Sequence, residues 1–192
     1  MKSRLTLLII ATMFLLPLVV AWMMSVGMFN LGPQSTVNHG RLVQPPVAVE
    51  WSEEYQSLLL GHWSIVYKIP TPCLRTCTES VVGLRQMHKA TGRHQDRVRI
   101  FLWLSERSDE LSQQLLELDP NASIMVSKEA TRSSGTTLEE LVRPVVNDGT
   151  LSGSGFMIDP LGNIMMHYSA TTDAQKIKQD LKRLLTYSKL DG

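Results

Sequence analysis

Two cysteines are the residues best suited to chemistry in this chain of 192 residues, and they stand close together as Cys73 and Cys77 in the stretch TPCLRTC. Two neighbouring thiols can pass between a dithiol and a disulfide, and their thiolates are also ligands that Cu(I) accepts. A single pair is too few for a disulfide-rich scaffold or for a cysteine-only zinc site. The pair is therefore predicted to act as one local unit.

The cysteines are predicted to lie where a turn, which contains Pro72, gives way to a helix. The helix is indicated by residues that recur at helical spacing, namely Cys77, Val81, Leu84 and His88. The N–H groups and the dipole at a helix N-terminus favour a thiolate, and Arg75 adds positive charge between the cysteines. A separation of four residues across such a junction can also satisfy the geometry of a disulfide.

An inert disulfide that pins the turn is the alternative interpretation. A bridge that closes so small a loop constrains the unfolded chain little, so a functional dithiol is favoured. Because Cys73 lies in the turn, we predict that it is the nucleophile and that Cys77 resolves the mixed disulfide.

A membrane anchor precedes these residues. No charged residue occurs from Leu5 to Phe29, and about 20 apolar residues suffice for a helix to cross the hydrocarbon layer. A cleaved signal peptide is the alternative, but its apolar core is usually shorter. Lys2 and Arg4 precede the span, so the positive-inside rule leaves the N-terminus in the cytoplasm and the rest of the chain outside. Residues 1–29 are thus predicted to be a cytoplasmic tip and a single-pass anchor in a bacterial inner membrane.

The remainder is predicted to be a linker, residues 30–55, followed by one domain, residues 56–192. Several glycines and prolines, including Pro45 and Pro46, discourage regular structure in the linker. The formal net charge is +1, and basic and acidic side chains are interspersed. Because nucleic-acid-binding domains usually present a basic face or run, no nucleic-acid partner is expected.

The domain reads as alternating strands and helices that end in a hairpin and a last helix. The predicted elements are a strand at 63–69, the helix after the cysteines, a strand at 97–104, a helix at 109–118, a strand at 123–126, a helix behind Thr137, a hairpin at 155–168 and a helix from about 173. Alternating strands and helices imply parallel pairing, and the hairpin adds antiparallel strands. The fold class is therefore α/β, with a mixed central sheet and helices on both faces.

A membrane anchor, a strand and then Cys-x-x-x-Cys opening a helix resemble the Sco/SenC family of cytochrome c oxidase assembly factors. The later stretch FMIDPLGNIMMHY is similar to the hairpin of that family and of thioredoxin-like proteins generally. The resemblance implies a thioredoxin-like fold, a periplasmic domain, and a haem–copper oxidase subunit or one of its assembly factors as partner. It also implies copper binding through the two cysteines and a histidine that lies shortly before the hairpin.

That histidine is missing here, because residues 147–155 read NDGTLSGSG. The resemblance therefore assigns only Cys73 and Cys77 as copper ligands, with the third ligand unknown and no cofactor certain. Met165, Met166 and His167 offer soft and imidazole donors that copper accepts, although such residues on a hairpin strand usually belong to the core.

Three functions follow from this sequence. The first is an assembly factor in which Cys73 and Cys77 exchange electrons with an oxidase client or transiently hold Cu(I). The second is a general periplasmic thiol–disulfide oxidoreductase, and the third is a binding module that kept the fold and lost the chemistry. The order of preference among these three functions rests on the family resemblance.

Overall fold

The computed structural model describes residues 2–25, 38–132, 135–146 and 149–187. Internal contacts divide the chain into two units, residues 1–37 and residues 38–192. The parts of the predicted anchor and linker that span residues 26–37 lie outside the described residues.

The described residues of the first unit form a helix, α1, at Lys2–Ser25. Within it, Arg4–Met23 is long and apolar enough to cross a membrane, judged by length and composition. Pro17 lies inside this helix, and membrane helices tolerate such a residue because neighbouring groups satisfy the carbonyl that it frees.

The second unit is built on one six-stranded sheet in the order β1-β6-β5-β2-β3-β4. Strands β2, β3 and β4 are parallel, while β5 and β6 form an antiparallel hairpin that joins the sheet at β2. The strands are β1 Arg41–Ala48, β2 Trp63–Lys68, β3 Val98–Leu104, β4 Ser123–Val126, β5 Gly155–Ile158 and β6 Asn163–Tyr168.

Helices cover both faces of this sheet. They are α2 Glu53–Leu59, α3 Arg75–Lys89, α4 Asp109–Leu118, α5 Leu138–Val142 and α6 Ala174–Tyr187, with short 3₁₀ turns at Gly92–Arg97 and Arg143–Val145. Helices α3, α4 and α6 pack on one face around Ile65, Ile100 and Leu102. Helices α2 and α5 pack on the other face, with a separate core around Phe101 and Phe156. Adjacent residues of a buried strand serve opposite cores because side chains alternate across a sheet.

This arrangement confirms the predicted α/β fold with a mixed sheet between helices.

The helix predicted behind Thr137 starts with a capping box, in which the Thr137 side chain accepts from the Glu140 backbone N–H and the Glu140 side chain accepts from the Thr137 N–H. Reciprocal bonds of this kind satisfy donors that the first helical turn leaves open.

The segment before the domain differs from the sequence prediction. Residues 30–55 were expected to lack regular structure, yet residues 41–48 form β1, which pairs antiparallel with β6. The ladder is irregular between Leu42 and Val47, the part that contains Pro45 and Pro46. Prolines are tolerated there because β1 is an edge strand, whose outward N–H groups need no partner in the sheet.

Helix α2 extends the same correction. Tyr55 and Leu59 on this helix are buried in the core beside Phe101, together with Trp51 just before it. The Trp51 indole Nε1 donates to the Gly162 carbonyl at 2.7 Å. This segment is therefore part of the folded unit. Its apolar side chains indicate burial in the core, whereas its prolines led to the prediction of an irregular linker.

A buried carboxylate fixes the beginning of the unit. Asp180 of α6, 1% exposed, accepts from the backbone N–H groups of His39 and Gly40, both at 2.9 Å at their shortest, and from the Tyr168 hydroxyl at 3.2 Å. Gly40 fits closely, since a Cβ there would lie 2.5 Å from the Tyr168 ring. The chain is thus held to the last helix before β1 begins.

Candidate redox site

The loop that carries the cysteines leaves the sheet at the end of its central strand. The last residue of β2, Lys68, receives a hydrogen bond at its carbonyl from the Gly153 N–H (3.0 Å) and donates its own N–H to Ser154 (2.9 Å). Ile69 then donates to the Trp103 carbonyl at 2.9 Å. These bonds end the ladder and place residues 70–74 beyond the carboxyl edge of the sheet, directly before α3.

Cys73 and Cys77 are joined by a disulfide, with their Cα atoms 5.3 Å apart. Cys77 lies in the first turn of α3, where its N–H donates to the carbonyl of Leu74, the N-cap residue, at 2.9 Å. Cys73 precedes the helix. The turn-to-helix placement predicted from the sequence is therefore present, and the two sulfurs stand at the helix N-terminus, where a developing thiolate is stabilised.

The two sulfur-bearing residues differ in exposure. Cys77 is 1% exposed and belongs to the core on the α3 face, whereas Cys73 is only partly buried. An incoming thiolate must approach one sulfur along the line of the disulfide bond. Cys73 is therefore the more accessible of the two cysteines, whereas Cys77 is shielded by the core of the domain.

The charge around the cysteines is smaller than the sequence suggests. The Arg75 guanidinium Nε donates to Glu79 Oε1 at 2.8 Å, one helical turn along α3, and both side chains are exposed. This pairing offsets much of the positive charge that Arg75 brings to the loop. The helix N-terminus itself is the remaining feature that favours a thiolate.

An open groove of about 320 Å³ comes within one residue of Cys77 along α3, although neither cysteine lines it. One wall is the first half of α3, starting at Thr76 next to Cys77, and the other is the loop that joins β6 to α6. The groove has a mixed lining of hydroxyls, carboxylates and apolar side chains, including those of Tyr67, Thr76, Ser80, Thr171, Glu79, Asp173, Leu84 and Ile177. It offers both polar and apolar contacts to an extended chain.

The floor of the groove depends on a glycine. Gly153 has φ +77°, and a Cβ there would lie 3.2 Å from the Ala170 Cβ. A residue with a side chain would be strained in this conformation and would press on the opposite wall. Gly153 and Gly155, in the segment where the sequence lacks the family's histidine, therefore shape the groove.

The buried histidines His88 and His167 do not meet the cysteines. His88 is buried and its Nε2 lies 3.2 Å from the backbone carbonyls of Gln95 and Val98. The His167 ring packs 5.2 Å from Phe156 in the core on the α5 face, whereas Met166 and Cys77 belong to the core on the α3 face. His167 and Met166 therefore cannot ligate one metal ion together.

The donor side chains near Cys73 and Cys77 can be compared with the ligands that a bound copper ion needs. The two sulfurs suit Cu(I), but the part of the chain that the structure describes gathers no three histidine, cysteine or carboxylate side chains in one place. The described residues thus lack a third donor of these types beside Cys73 and Cys77. They fit an exchangeable disulfide better than a resident copper centre.

A buried ion pair lies on the face of β2 that packs against α5. The Lys68 ammonium, in a residue 4% exposed, contacts Glu139 of α5, donates to Ser105 Oγ at 2.6 Å and lies 4.3 Å from the Trp103 ring centroid. Burial lowers the pKa of Lys68, and Glu139 opposes that shift. Burial by itself raises the pKa of Glu139, but Lys68 and the nearby hydroxyls outweigh it, so this pKa lies below its usual value.

Replacing Glu139 with glutamine is expected to destabilise the domain by about 1 kcal/mol near neutral pH, because the Lys68 ammonium loses its counterion. A carboxylate whose folded pKa is depressed contributes stability above its unfolded pKa, and that contribution is lost as pH falls through the folded pKa. The difference between wild type and Glu139→Gln should therefore shrink on acidification. Urea unfolding of the full chain in detergent, from about pH 7 to about pH 3, measures it. A difference that stays constant over this range would assign the effect to packing.

Two features of this region have little signal in the sequence. Lys68 reads as the polar end of a strand, and Gly153 reads as loop. The alternation of β2 places Lys68 on the face of Val66 and Phe101, a hint that its side chain would be buried, but its partner Glu139 is distant in sequence.

Comparison with known families agrees with this geometry. Residues 63–188 match the sequence profile of a family described as transmembrane-like, thioredoxin-like, C-terminal domain. The chain belongs to this family. The matched region begins at β2 and includes the disulfide, the groove and α6. The thioredoxin-like part of the predicted fold is thereby confirmed, and a search of curated proteins finds no match.

Solved structures of thioredoxin-like proteins share the fold. Apo Sco1 from Thermus thermophilus aligns with a TM-score of 0.54 at 16% identity, over 80% of this chain and 99% of that one. A SCO1/SenC family lipoprotein from Bacillus anthracis gives 0.52 at 15% identity, over 74% and 99%. A DsbF homologue from Corynebacterium diphtheriae gives 0.52 at 11% identity, over 80% and 96%. At these identities the similarity establishes the fold alone.

Proposed function

We propose that this protein is a membrane-tethered thiol–disulfide exchange factor whose domain works on the outer side of a bacterial inner membrane. The observation that carries the proposal is the Cys73–Cys77 disulfide at the N-terminus of α3, with Cys73 partly exposed. An open groove that Thr76 lines, one residue before Cys77, adds a surface for a client. Under this proposal residues 1–29 anchor the domain, and the positive residues Lys2 and Arg4 keep the N-terminus in the cytoplasm.

The proposed exchange needs no cofactor. A client thiolate attacks the Cys73 sulfur, the Cys73–Cys77 bond breaks, and Cys77 leaves as a thiolate that takes up a proton. A second client thiolate then attacks the client sulfur of the mixed disulfide and releases Cys73. The client has lost two electrons and gained a disulfide, and the pair has gained the two electrons as a dithiol. The reverse sequence reduces a client disulfide, with Cys73 attacking and Cys77 resolving.

The proposed client is a subunit of a haem–copper oxidase or one of its assembly factors. This choice is supported by the resemblance to the Sco/SenC family at Cys73–Cys77 and at Phe156–Asn163. A tether to the same membrane as an integral oxidase raises the effective concentration of the domain near such a client. Copper enters the proposal as cargo that the reduced cysteines could hold transiently, with the third donor coming from outside the described residues.

A first experiment measures the chemistry on the full chain in detergent. We expect Cys73 and Cys77 to equilibrate with glutathione redox buffers at a defined reduction potential, and a Cys73→Ser, Cys77→Ser double variant to show no exchange. Slow reduction of insulin is expected of a dedicated factor, whereas fast turnover would identify a general oxidoreductase. A disulfide that resists reduction in the folded protein would contradict the proposal.

A second experiment places the activity in the cell. In a strain that lacks the gene, wild type should restore oxidase assembly and the double serine variant should not. After mild reduction, a membrane-impermeant maleimide should label Cys73 in intact spheroplasts if the domain is outside. Full assembly with the double serine variant would leave a binding module as the function. Cu(I) titration of the reduced proteins, wild type against the double variant, tests the cargo role.

A further inference from the structure

An exposed leucine stands between the two cysteines. Leu74 is 66% exposed, and among the described residues of the second unit the other exposed large apolar side chains are Leu58, Leu60 and Leu161. Leu161 belongs to the β5–β6 turn, and the neighbouring Pro160 carbonyl accepts from Gly61, just before β2 begins. Those three leucines thus lie at the end of the sheet opposite to the disulfide.

Leu74 also breaks a local rule of helix formation. It is the N-cap residue of α3 and makes no side-chain capping bond, although serine, threonine, asparagine and aspartate are strongly preferred there because their side chains satisfy an open N–H. Neither burial nor capping accounts for a leucine at this position. Local rules are broken most often at functional sites, where another requirement decides the residue.

Contact with a client that reacts at the neighbouring sulfurs is a requirement that explains a leucine at this position. A client cysteine that bonds to Cys73 brings its flanking residues to the loop from Pro72 to Thr76, where Leu74 is the exposed large apolar side chain. Thr76 also lines the groove between α3 and the β6–α6 loop, which mixes hydroxyls, carboxylates and apolar side chains. A polypeptide client can therefore contact Leu74 beside its cysteine and continue into the groove, whereas a small thiol needs neither.

We propose that Leu74 is a specificity residue that selects polypeptide clients with a bulky apolar residue next to the reactive cysteine, their chain continuing into the groove. This inference rests on the proposed thiol–disulfide exchange and names its substrate class. Leu74 acts on the recognition of the client and takes no part in the transfer of electrons.

The test uses the reduced full chain in detergent and three oxidised probes. Two are synthetic peptides that differ only in leucine or serine beside a cysteine blocked by thionitrobenzoate, whose release is followed by absorbance, and the third is oxidised glutathione. Wild type is expected to react about tenfold faster with the leucine peptide, the scale of one apolar contact in substrate discrimination. Leu74→Ser, which supplies a better N-cap residue, should lose this preference and keep its rate with glutathione disulfide.

Leu161→Ser is the matched control, since it removes a leucine of similar exposure at the other end of the sheet and should keep the wild-type preference. Equal rates of wild type with both peptides, or a preference that survives in Leu74→Ser, would overturn the inference while leaving the exchange function intact. Failure of wild type to react with any of the three probes would overturn the proposed function and the inference with it.

Discussion

Cys77→Ser in the full chain is expected to accumulate mixed disulfides with its clients, while Cys73→Ser is expected to form at least about tenfold fewer. In Cys77→Ser the partly exposed Cys73 can still attack, but the resolving thiol is gone, so the covalent intermediate persists. In Cys73→Ser the remaining sulfur belongs to a residue that is 1% exposed, and a client disulfide cannot reach it. The measurement is non-reducing electrophoresis of the detergent-extracted chain after rapid acid quenching of thiols.

The double serine variant is the control, since it should trap nothing. A reversed result, with adducts on Cys73→Ser only, would mean that Cys77 becomes accessible on reduction and that the roles of the two sulfurs must be exchanged. Mass spectrometry of the trapped adducts would also name the client, and an oxidase subunit or assembly factor is the expected partner.

The second large effect concerns the buried carboxylate of α6. Asp180→Ala is expected to destabilise the domain by about 3 kcal/mol, because the N–H groups of His39 and Gly40 and the Tyr168 hydroxyl all lose a charged acceptor while partly or fully buried. For a domain of this size that loss corresponds to a fall of about 6–12 °C in Tm. The hydroxyl lies 2.9 Å from the Met166 sulfur and 3.2 Å from the Asp180 carboxylate, which is the stronger acceptor. Burial raises the pKa of Tyr168, and the Asp180 carboxylate raises it further, so this side chain stays protonated and donates to Asp180.

Thermal unfolding of the full chain in detergent, followed by circular dichroism, measures the effect. Glu117→Ala removes an exposed carboxylate from α4 and should change stability by no more than about 0.5 kcal/mol. Asp180→Asn keeps one acceptor and should fall between wild type and Asp180→Ala. Equal stability of Asp180→Ala and wild type would mean that water replaces the carboxylate and that residues 38–40 do not depend on it.

Several elements could be predicted because their signals are local. The helical spacing of Cys77, Val81 and Leu84, the apolar run of β3 and the Thr137–Glu140 capping box each lie within a few residues of one another. Such patterns reflect the periodicity of a helix or a strand, which short-range geometry sets. Parallel pairing of β2 with β3 followed from the helix between them, since a crossover connection leaves few alternatives.

The strand β1 and the helix α2 could not be predicted in the same way. Pro45 and Pro46 argue against a strand in isolation. They are tolerated because β6 lies on one side of β1, and among the described residues no strand lies on the other. That information resides in the hairpin, more than one hundred residues later in the chain. Propensity gave way to tertiary pairing, as it commonly does for strands.

The sequence by itself determined the dithiol, its place at a helix N-terminus, the apolar N-terminal helix and the order of elements in the domain, because each depends on neighbouring residues. Tertiary structure alone decided which sulfur is shielded, that Lys68 meets Glu139 and Asp180 meets residues 39–40, and that a groove opens beside Thr76. Those features arise where segments distant in the sequence pack together, and residue spacing along one segment carries no measure of the distance to another.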